Sequence, residues 1–121
     1  MASPATTLRI FGLYLLALAV VLLCAPNILL GLFGIAPTSE VWIRVAGMLA
    51  GFLGYYYLRA AAAGLHAFFV WSVQMRLCVP LFFATFVVLG LAPRALLLFA
   101  ALDAAGAGWT WLALRRTSTH A

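Results

Sequence analysis

Residues 8–30 read LRIFGLYLLALAVVLLCAPNILL. After Arg9 no charged side chain interrupts the run. A helix that crosses a bilayer core needs about 20 predominantly apolar residues, and this segment supplies them. Its start resembles a secretory leader, with Arg9, an apolar stretch and then Cys24. The stretch is too long for a leader core, however, and no small-x-small cleavage site follows. Leu23 stands before Cys24 where a lipoprotein would carry a small residue. The segment is therefore expected to remain as an uncleaved first transmembrane helix, with Pro26 loosening its last turn because proline donates no backbone hydrogen bond.

Working outward, three more apolar runs follow, at about 38–61, 68–89 and 93–115. The expected architecture is an all-α, polytopic membrane protein: one four-transmembrane-helix bundle over residues 1–121. Four spans use roughly 80–90 residues, which leaves short loops and no room for a soluble domain. Composition agrees. Hydrophobic residues are 68% and charged residues 7% of the 121, and the mean hydropathy is +1.19. A soluble domain is about half apolar and about a quarter charged, and a small one leaves much of its surface exposed. The formal charge is +5, but the basic residues are arginines scattered at helix ends, a membrane-topology pattern rather than a nucleic-acid patch. The lack of lysine beside abundant Ala, Leu and Gly points to a GC-rich bacterial genome. Cys24 and Cys78 fall on different helices at different depths. A disulfide needs alpha carbons within about 7 Å, so free thiols are expected, and without a CxxC a thiol oxidoreductase has no support.

Pro37 and Thr38 suit the start of the second helix, with Glu40 in its first turn at the positive end of the dipole. Ala60-Ala61-Ala62-Ala63 extends that helix to a stop at Gly64, with His66 in the loop beyond. Pro80 lies inside the third helix and frees the carbonyl of Arg76. Gly34-Ile35-Ala36-Pro37 before the second helix is echoed by Gly90-Leu91-Ala92-Pro93 before the fourth. Either two related helical hairpins or a shared way of starting helices accounts for the echo.

Four spans put both termini and the middle loop on one side. That side carries Arg9, Arg59, Arg115 and Arg116 with His66 and His120, against Arg94 and Arg44 on the other. The positive-inside rule places both termini in the cytoplasm. Tyr55, Tyr56, Tyr57, Trp71, Trp109 and Trp111 fall near that interface, and Trp42 near the outer one.

Ionisable groups at bilayer depth are costly and tend to face a bundle interior and pair. Arg44, Arg76 and Asp103 qualify, and form the candidate intramembrane polar site. At 1.5 Å rise per residue, Asp103 lies roughly 13 Å below the outer end of its helix and Arg44 roughly 9 Å below the outer end of the second. Arg76 approaches from the cytoplasmic end. Arg44 is the favoured partner of Asp103, with Arg76 second. The competing arrangement is an Arg44 that snorkels outward and pairs with Glu40 at i, i+4. The trio reads either as structural pairing or as a polar cavity for a ligand headgroup or a proton. Arginine's bidentate fork suits an anionic or amphipathic ligand.

Small residues accompany these groups. Arg44, Gly47, Gly51 and Leu58 align on the second helix, with Gly54 nearby, and Gly47 and Gly51 make a GxxxG that allows close helix approach. On the fourth helix Asp103, Gly106 and Thr110 share a face, and Ala104 with Gly108 makes a second small-xxx-small pair. Gly47, Gly51, Gly106 and Gly108 are thus expected at helix contacts, within one bundle or between copies. Ser72, Arg76 and Phe83 line one face of the third helix, beside Pro80.

Several functions lack their residues. Haem between helices needs paired histidines at depth, and His66 and His120 lie outside the spans. No cluster has metal spacing, and no Ser/His/Asp set or phosphate loop is present. No cofactor and no catalytic set are expected. A small multidrug exporter carries a carboxylate in its first helix, and this first helix has none. A sterol-isomerase-like enzyme wants paired acids, and only Glu40 and Asp103 exist.

The stretch from Arg44-Val45-Ala46-Gly47 through Tyr55-Tyr56-Tyr57, with Gly90-Leu91-Ala92-Pro93 through Leu102-Asp103 to Trp109-Thr110, resembles small bacterial four-helix membrane proteins of the broad DoxX-like kind. The resemblance rests on helix count, a glycine-rich second helix and a fourth helix with Asp and Trp-Thr. It implies a bacterial inner-membrane (plasma-membrane) four-helix bundle and transfers no catalytic residues. The expected role is a non-enzymatic accessory or interaction subunit, partnered by the lipid bilayer and by another membrane protein or further copies of itself. The alternative is a small carrier or lipid-binding bundle built on Asp103, Arg44 and Arg76.

Overall fold

Ser3 opens the first helix. Its hydroxyl accepts from the backbone N–H of Thr6 at 3.2 Å, and Pro4, which lacks an N–H, occupies the first helical position where none is needed. The computed structural model describes residues 2–119, with the side chains of 117–119 excepted; His120 lies outside the described residues. Those residues form five α-helices: α1 Pro4–Cys24, α2 Pro26–Leu32, α3 Trp42–Ala63, α4 His66–Val88 and α5 Leu96–Thr119. Three segments, Pro4–Cys24, His66–Val88 and Leu96–Arg116, are long and apolar enough to cross a membrane. The fold is all-helical, and these segments mark a membrane protein.

The expected single helix over 8–30 is divided. It begins earlier, at Pro4, and Ala25 leaves helical geometry at φ −148°, ψ 60°. Pro26 then starts α2 as its first residue. Proline removes a bond and its ring collides with the preceding turn, so the last turn breaks rather than loosens.

The second helix also starts later than expected. The side chain of Asn27 captures Thr38, donating to its carbonyl at 3.1 Å and accepting from its N–H at 2.8 Å. Thr38 Oγ1 accepts from the N–H of Glu40 at 3.1 Å. These bonds hold 38–40 as an extended strap, so α3 begins at Trp42 and Glu40 stands outside its first turn. His66 is the first residue of α4 rather than part of a loop. Pro93 seeds α5 by a turn, accepting from the N–H of Leu96 at 3.1 Å, so that helix starts three residues after its proline. Pro80 lies within a continuous α4. Cys24 and Cys78 are free thiols.

The echoed Gly-x-Ala-Pro segments stop helices. Gly34 and Gly90 take φ +69° and +75°, a conformation that costs glycine little. The following residue then reaches back five positions, Ile35 to the Leu30 carbonyl and Leu91 to the Phe86 carbonyl, both at 2.8 Å. Gly64, at φ +64°, ends α3 the same way, with Leu65 bonded to the Ala60 carbonyl at 3.1 Å. This is the Schellman stop.

α1 packs chiefly on α3 and α4 chiefly on α5, with contacts between α1 and α5 joining the two hairpins. The α1–α3 seam is antiparallel and built on glycine. A Cβ on Gly54 would stand 2.9 Å from the Gly12 carbonyl oxygen, and one on Gly47 would stand 2.7 Å from Leu22 Cβ. Gly51 abuts Ala19 at 3.3 Å. Gly47 and Gly51 thus pack within the chain, and Gly12 is their counterpart on α1. Large apolar side chains face outward, among them Val88 at 84% and Leu32 at 78% exposure, which suits lipid as the surrounding solvent.

Candidate functional site

Where α1, α4 and α5 meet, the core turns polar. Arg76 sits about 15 Å along α4 from His66 and is 2% exposed. Its Nε donates to the Ser72 carbonyl at 3.2 Å. Its Nη2 donates to Ser72 Oγ at 3.1 Å and to Thr110 Oγ1 at 2.9 Å. Thr110 in turn shares a 2.8 Å hydrogen bond with Thr7 of α1. Thr7 donates to the Pro4 carbonyl at 2.7 Å and Ser72 to that of Phe69 at 2.7 Å. Thr7 and Thr110 are both fully buried. One hydroxyl chain therefore ties three helices to a single guanidinium.

Aromatic rings complete the enclosure. The Arg76 guanidinium carbon lies 4.7 Å from the Phe11 ring centroid and 5.5 Å from that of Tyr57. Stacked cations gain from ring quadrupoles when water is excluded. Tyr57, expected at the interface, is 6% exposed because it faces this cluster, while Tyr55 and Tyr56 point outward. Gly106 makes room, since a Cβ there would meet Phe11 at 3.0 Å and Arg76 Nη1 at 3.3 Å. Among the described residues Nη1 has no hydrogen-bond partner.

Asp103 lies one turn from Gly106 on α5, within electrostatic reach of Arg76, Tyr14 and Tyr57. Among the described residues Arg76 spends its hydrogen bonds on hydroxyls and a carbonyl, and makes no direct ion pair with the carboxylate. Asp103 instead borders a partly open cavity of about 300 Å³ lined by residues of α1, α2, α3, α4 and α5. Tyr14 stands beside it, and the remaining wall is apolar, including Leu18, Leu22, Phe33, Phe83 and Phe99. Phe33 of the α2 end and Phe99 of α5 approach at 4.8 Å between centroids. The Asn27–Thr38 strap holds the loop beside Phe33 and Ile35, which also line this space.

The structure brings Arg76 and Asp103 into one region and leaves Arg44 out. Arg44 Nη1 donates to the carbonyl of Leu23. Helix α1 breaks two residues later, so that carbonyl loses the N–H of Asn27 that a continuous helix would have offered it. Arg44 therefore caps the C-terminal end of α1, where a cation also suits the dipole. The favoured Arg44–Asp103 pair and its Arg44–Glu40 rival are both replaced by this cap. Of the small residues, Gly106 packs as expected, but nothing lies within 4 Å of a Cβ on Gly108. Gly108 thus borders open space rather than another helix of the chain.

Thr7 escaped the sequence reading because the first helix was expected to begin at Leu8, and Phe11 and Tyr14 because they stand in a continuous apolar run that marks no inward face. Ser3-Pro4, a capping residue followed by a first-turn proline, was the available signal. Among the described residues no three of His, Cys, Asp and Glu come together as a metal site.

These features define an all-helical membrane protein with a buried, hydroxyl-solvated arginine beside an apolar cavity that ends in a carboxylate. No protein-family model, curated protein or solved structure matches the chain.

Proposed function

We propose that this chain is a small multi-pass protein of the bacterial inner membrane, a four-span bundle with both termini in the cytoplasm, that holds an amphipathic ligand between its helices. The observation that carries the reading is the 300 Å³ cavity, apolar on its walls and polar only at Asp103 and Tyr14. Ligand sites are commonly concave, mostly apolar and fitted with a few placed polar groups. An ionised carboxylate only accepts hydrogen bonds, so the head that docks there donates: a hydroxyl, an amide or an amine. Arg76 offsets the charge of Asp103, which lets the carboxylate persist at membrane depth.

The fourth span in this reading is α3. Its glycines, tyrosines and two arginines lower its hydropathy, but it lies antiparallel to α1 from the level of Gly12 to that of Leu22. A helix packed along a span shares its depth. The arginines favour cytoplasmic termini. The DoxX-like resemblance belongs to the same proposal.

A second reading, an accessory subunit that docks a membrane protein or another copy of itself, draws on the open space at Gly108, which Ala104 precedes at small-xxx-small spacing. Small-residue strips of this kind let helices approach closely.

Native mass spectrometry of the protein released from lipid nanodiscs, wild type beside Asp103→Asn, separates the two. The ligand reading expects a small molecule or particular lipid held by wild type and lost in a variant that still folds. A stoichiometric protein partner held equally by both, with no such small molecule, would replace it with the accessory-subunit reading.

A further inference from the structure

The helix ends that carry most of the arginines hold a second concavity, separate from the Asp103 cavity. A groove of about 450 Å³ runs between α4 and α5, with His66 from α4 and Trp111 and Arg115 from α5 at its rim, and Val70, Val73, Gln74 and Leu77 of α4 further down. His66, Gln74 and Arg115 are exposed. The Arg115 guanidinium carbon lies 4.8 Å from the Trp111 ring centroid. Such stacking fixes the guanidinium plane and leaves its N–H edge for an anion. α4 begins here at His66 with no side-chain cap, so its unbonded first-turn N–H groups and positive dipole end add to the same field.

No acid opposes this field. The chain has two acidic residues; Asp103 lies in the bundle, and Glu40 lies in the strap at the far end of α3. The groove continues down α4 from His66 to Leu77, a rise of about 16 Å, and below the rim its α4 wall is apolar at Val70, Val73 and Leu77, with Gln74 the one polar residue among them. A basic, aromatic rim above a mostly apolar track of that length matches one kind of occupant.

We propose that this groove is a binding site for an anionic phospholipid, with the phosphate between Arg115, His66 and the start of α4, and an acyl chain along Val73 and Leu77. Basic pockets between membrane helices recognise such head groups in general. An acidic peptide would satisfy the rim but would leave the apolar track unused.

The test uses the full chain in nanodiscs made with equal amounts of phosphatidylglycerol and phosphatidylcholine carrying the same acyl chains, followed by native mass spectrometry of the lipid each released protein retains. Wild type is expected to hold phosphatidylglycerol in preference. Arg115→Gln should lower that retention about fivefold, the worth of one basic residue near an anionic surface. Arg59→Gln, an exposed arginine on the same end but outside the groove, should leave it unchanged. Thermal midpoints of both variants should match wild type, since both side chains are exposed. Equal retention of the two lipids by wild type would overturn the proposal, as would equal losses in both variants, which would mean a diffuse field instead of a site. Release of phosphatidylglycerol by hexaglutamate would assign the groove to a protein partner and overturn it as well.

Discussion

The two hairpins solve the same packing problem with different chemistry. The α1–α3 seam is built on glycine, alanine and leucine with one aromatic contact, Phe11 on Tyr57, and its backbones are close enough that Gly12 and Gly54 leave little room for a methyl group. The α4–α5 seam is held by a guanidinium and hydroxyls, through Arg76, Ser72 and Thr110. In lipid, association between helices rests on close packing and on interhelical hydrogen bonds rather than on the hydrophobic effect, and here each hairpin uses one of the two. The glycine hairpin is closely packed. The polar hairpin carries groups whose charge has to be managed, and it supplies Asp103 to a cavity whose other walls come from both hairpins. The matching Gly-x-Ala-Pro segments do not make the halves alike, because both are accounted for by the same helix stop.

The contrast can be broken by substitution, and the largest effect belongs to the glycine seam. Gly54→Leu drives a branched side chain into the Gly12 carbonyl and Leu16, and neither a helix backbone nor a packed side chain yields easily. Overpacking a tight core costs about 1–3 kcal/mol and occasionally more. With backbone as the obstacle, Gly54→Leu is expected to give no folded protein by size-exclusion chromatography in detergent. A monodisperse, thermally stable Gly54→Leu protein would mean the seam is looser than described.

Next comes the polar seam. Thr110→Val removes an acceptor from a buried cation whose Nη1 already lacks a partner, and it breaks the link to Thr7. Hydrogen bonds to charged groups contribute about 1.5–3 kcal/mol, so Thr110→Val should lower unfolding free energy by about that amount in denaturant titration. An unchanged midpoint would show that Arg76 is solvated some other way.

Smaller effects sharpen the picture. Arg44→Gln removes the cap on the Leu23 carbonyl, and a cation at a helix C-terminus is worth about 0.3–1 kcal/mol. A loss well above that range would return Arg44 to the polar site. Gly108→Ala meets open space and replaces a poor helix former. It should be neutral or stabilise by up to about 1 kcal/mol, and a marked loss in membrane but not in detergent would reveal a partner helix on that strip.

Much of the fold was legible because lipid imposes long apolar runs. The three segments able to span were read from apolar runs, the Gly64 stop from a glycine at a helix end, the free thiols from cysteines on different helices, and the close-packed Gly47 and Gly51 from their GxxxG spacing. Helix starts were less legible, because local side-chain bonds decided them. Asn27 holds Thr38 out of α3, and nothing in the hydropathy of 38–41 records a partner eleven residues away. The site was legible in part. Asp103 and Arg76 stood out as charges at depth, and Thr110 as sharing the Asp103 face. The choice between arginines turned on depth estimates, which treated each helix as unbroken. The break at Ala25 creates a bare carbonyl at Leu23, and that carbonyl takes Arg44. Thr7 and Tyr57 were hidden for another reason: one preceded the expected helix, and the other stood in a run of three tyrosines of which only one turns inward.

The most direct test asks which arginine belongs with Asp103. Two double-mutant cycles on unfolding free energy would pair Asp103→Asn with Arg76→Met, and Asp103→Asn with Arg44→Gln. Coupled neighbours show interaction energies of about 0.5–3 kcal/mol, while independent sites add to within about 0.5 kcal/mol. The account predicts coupling in the Arg76 cycle and additivity in the Arg44 cycle. Coupling through Arg44 with additivity at Arg76 would contradict it.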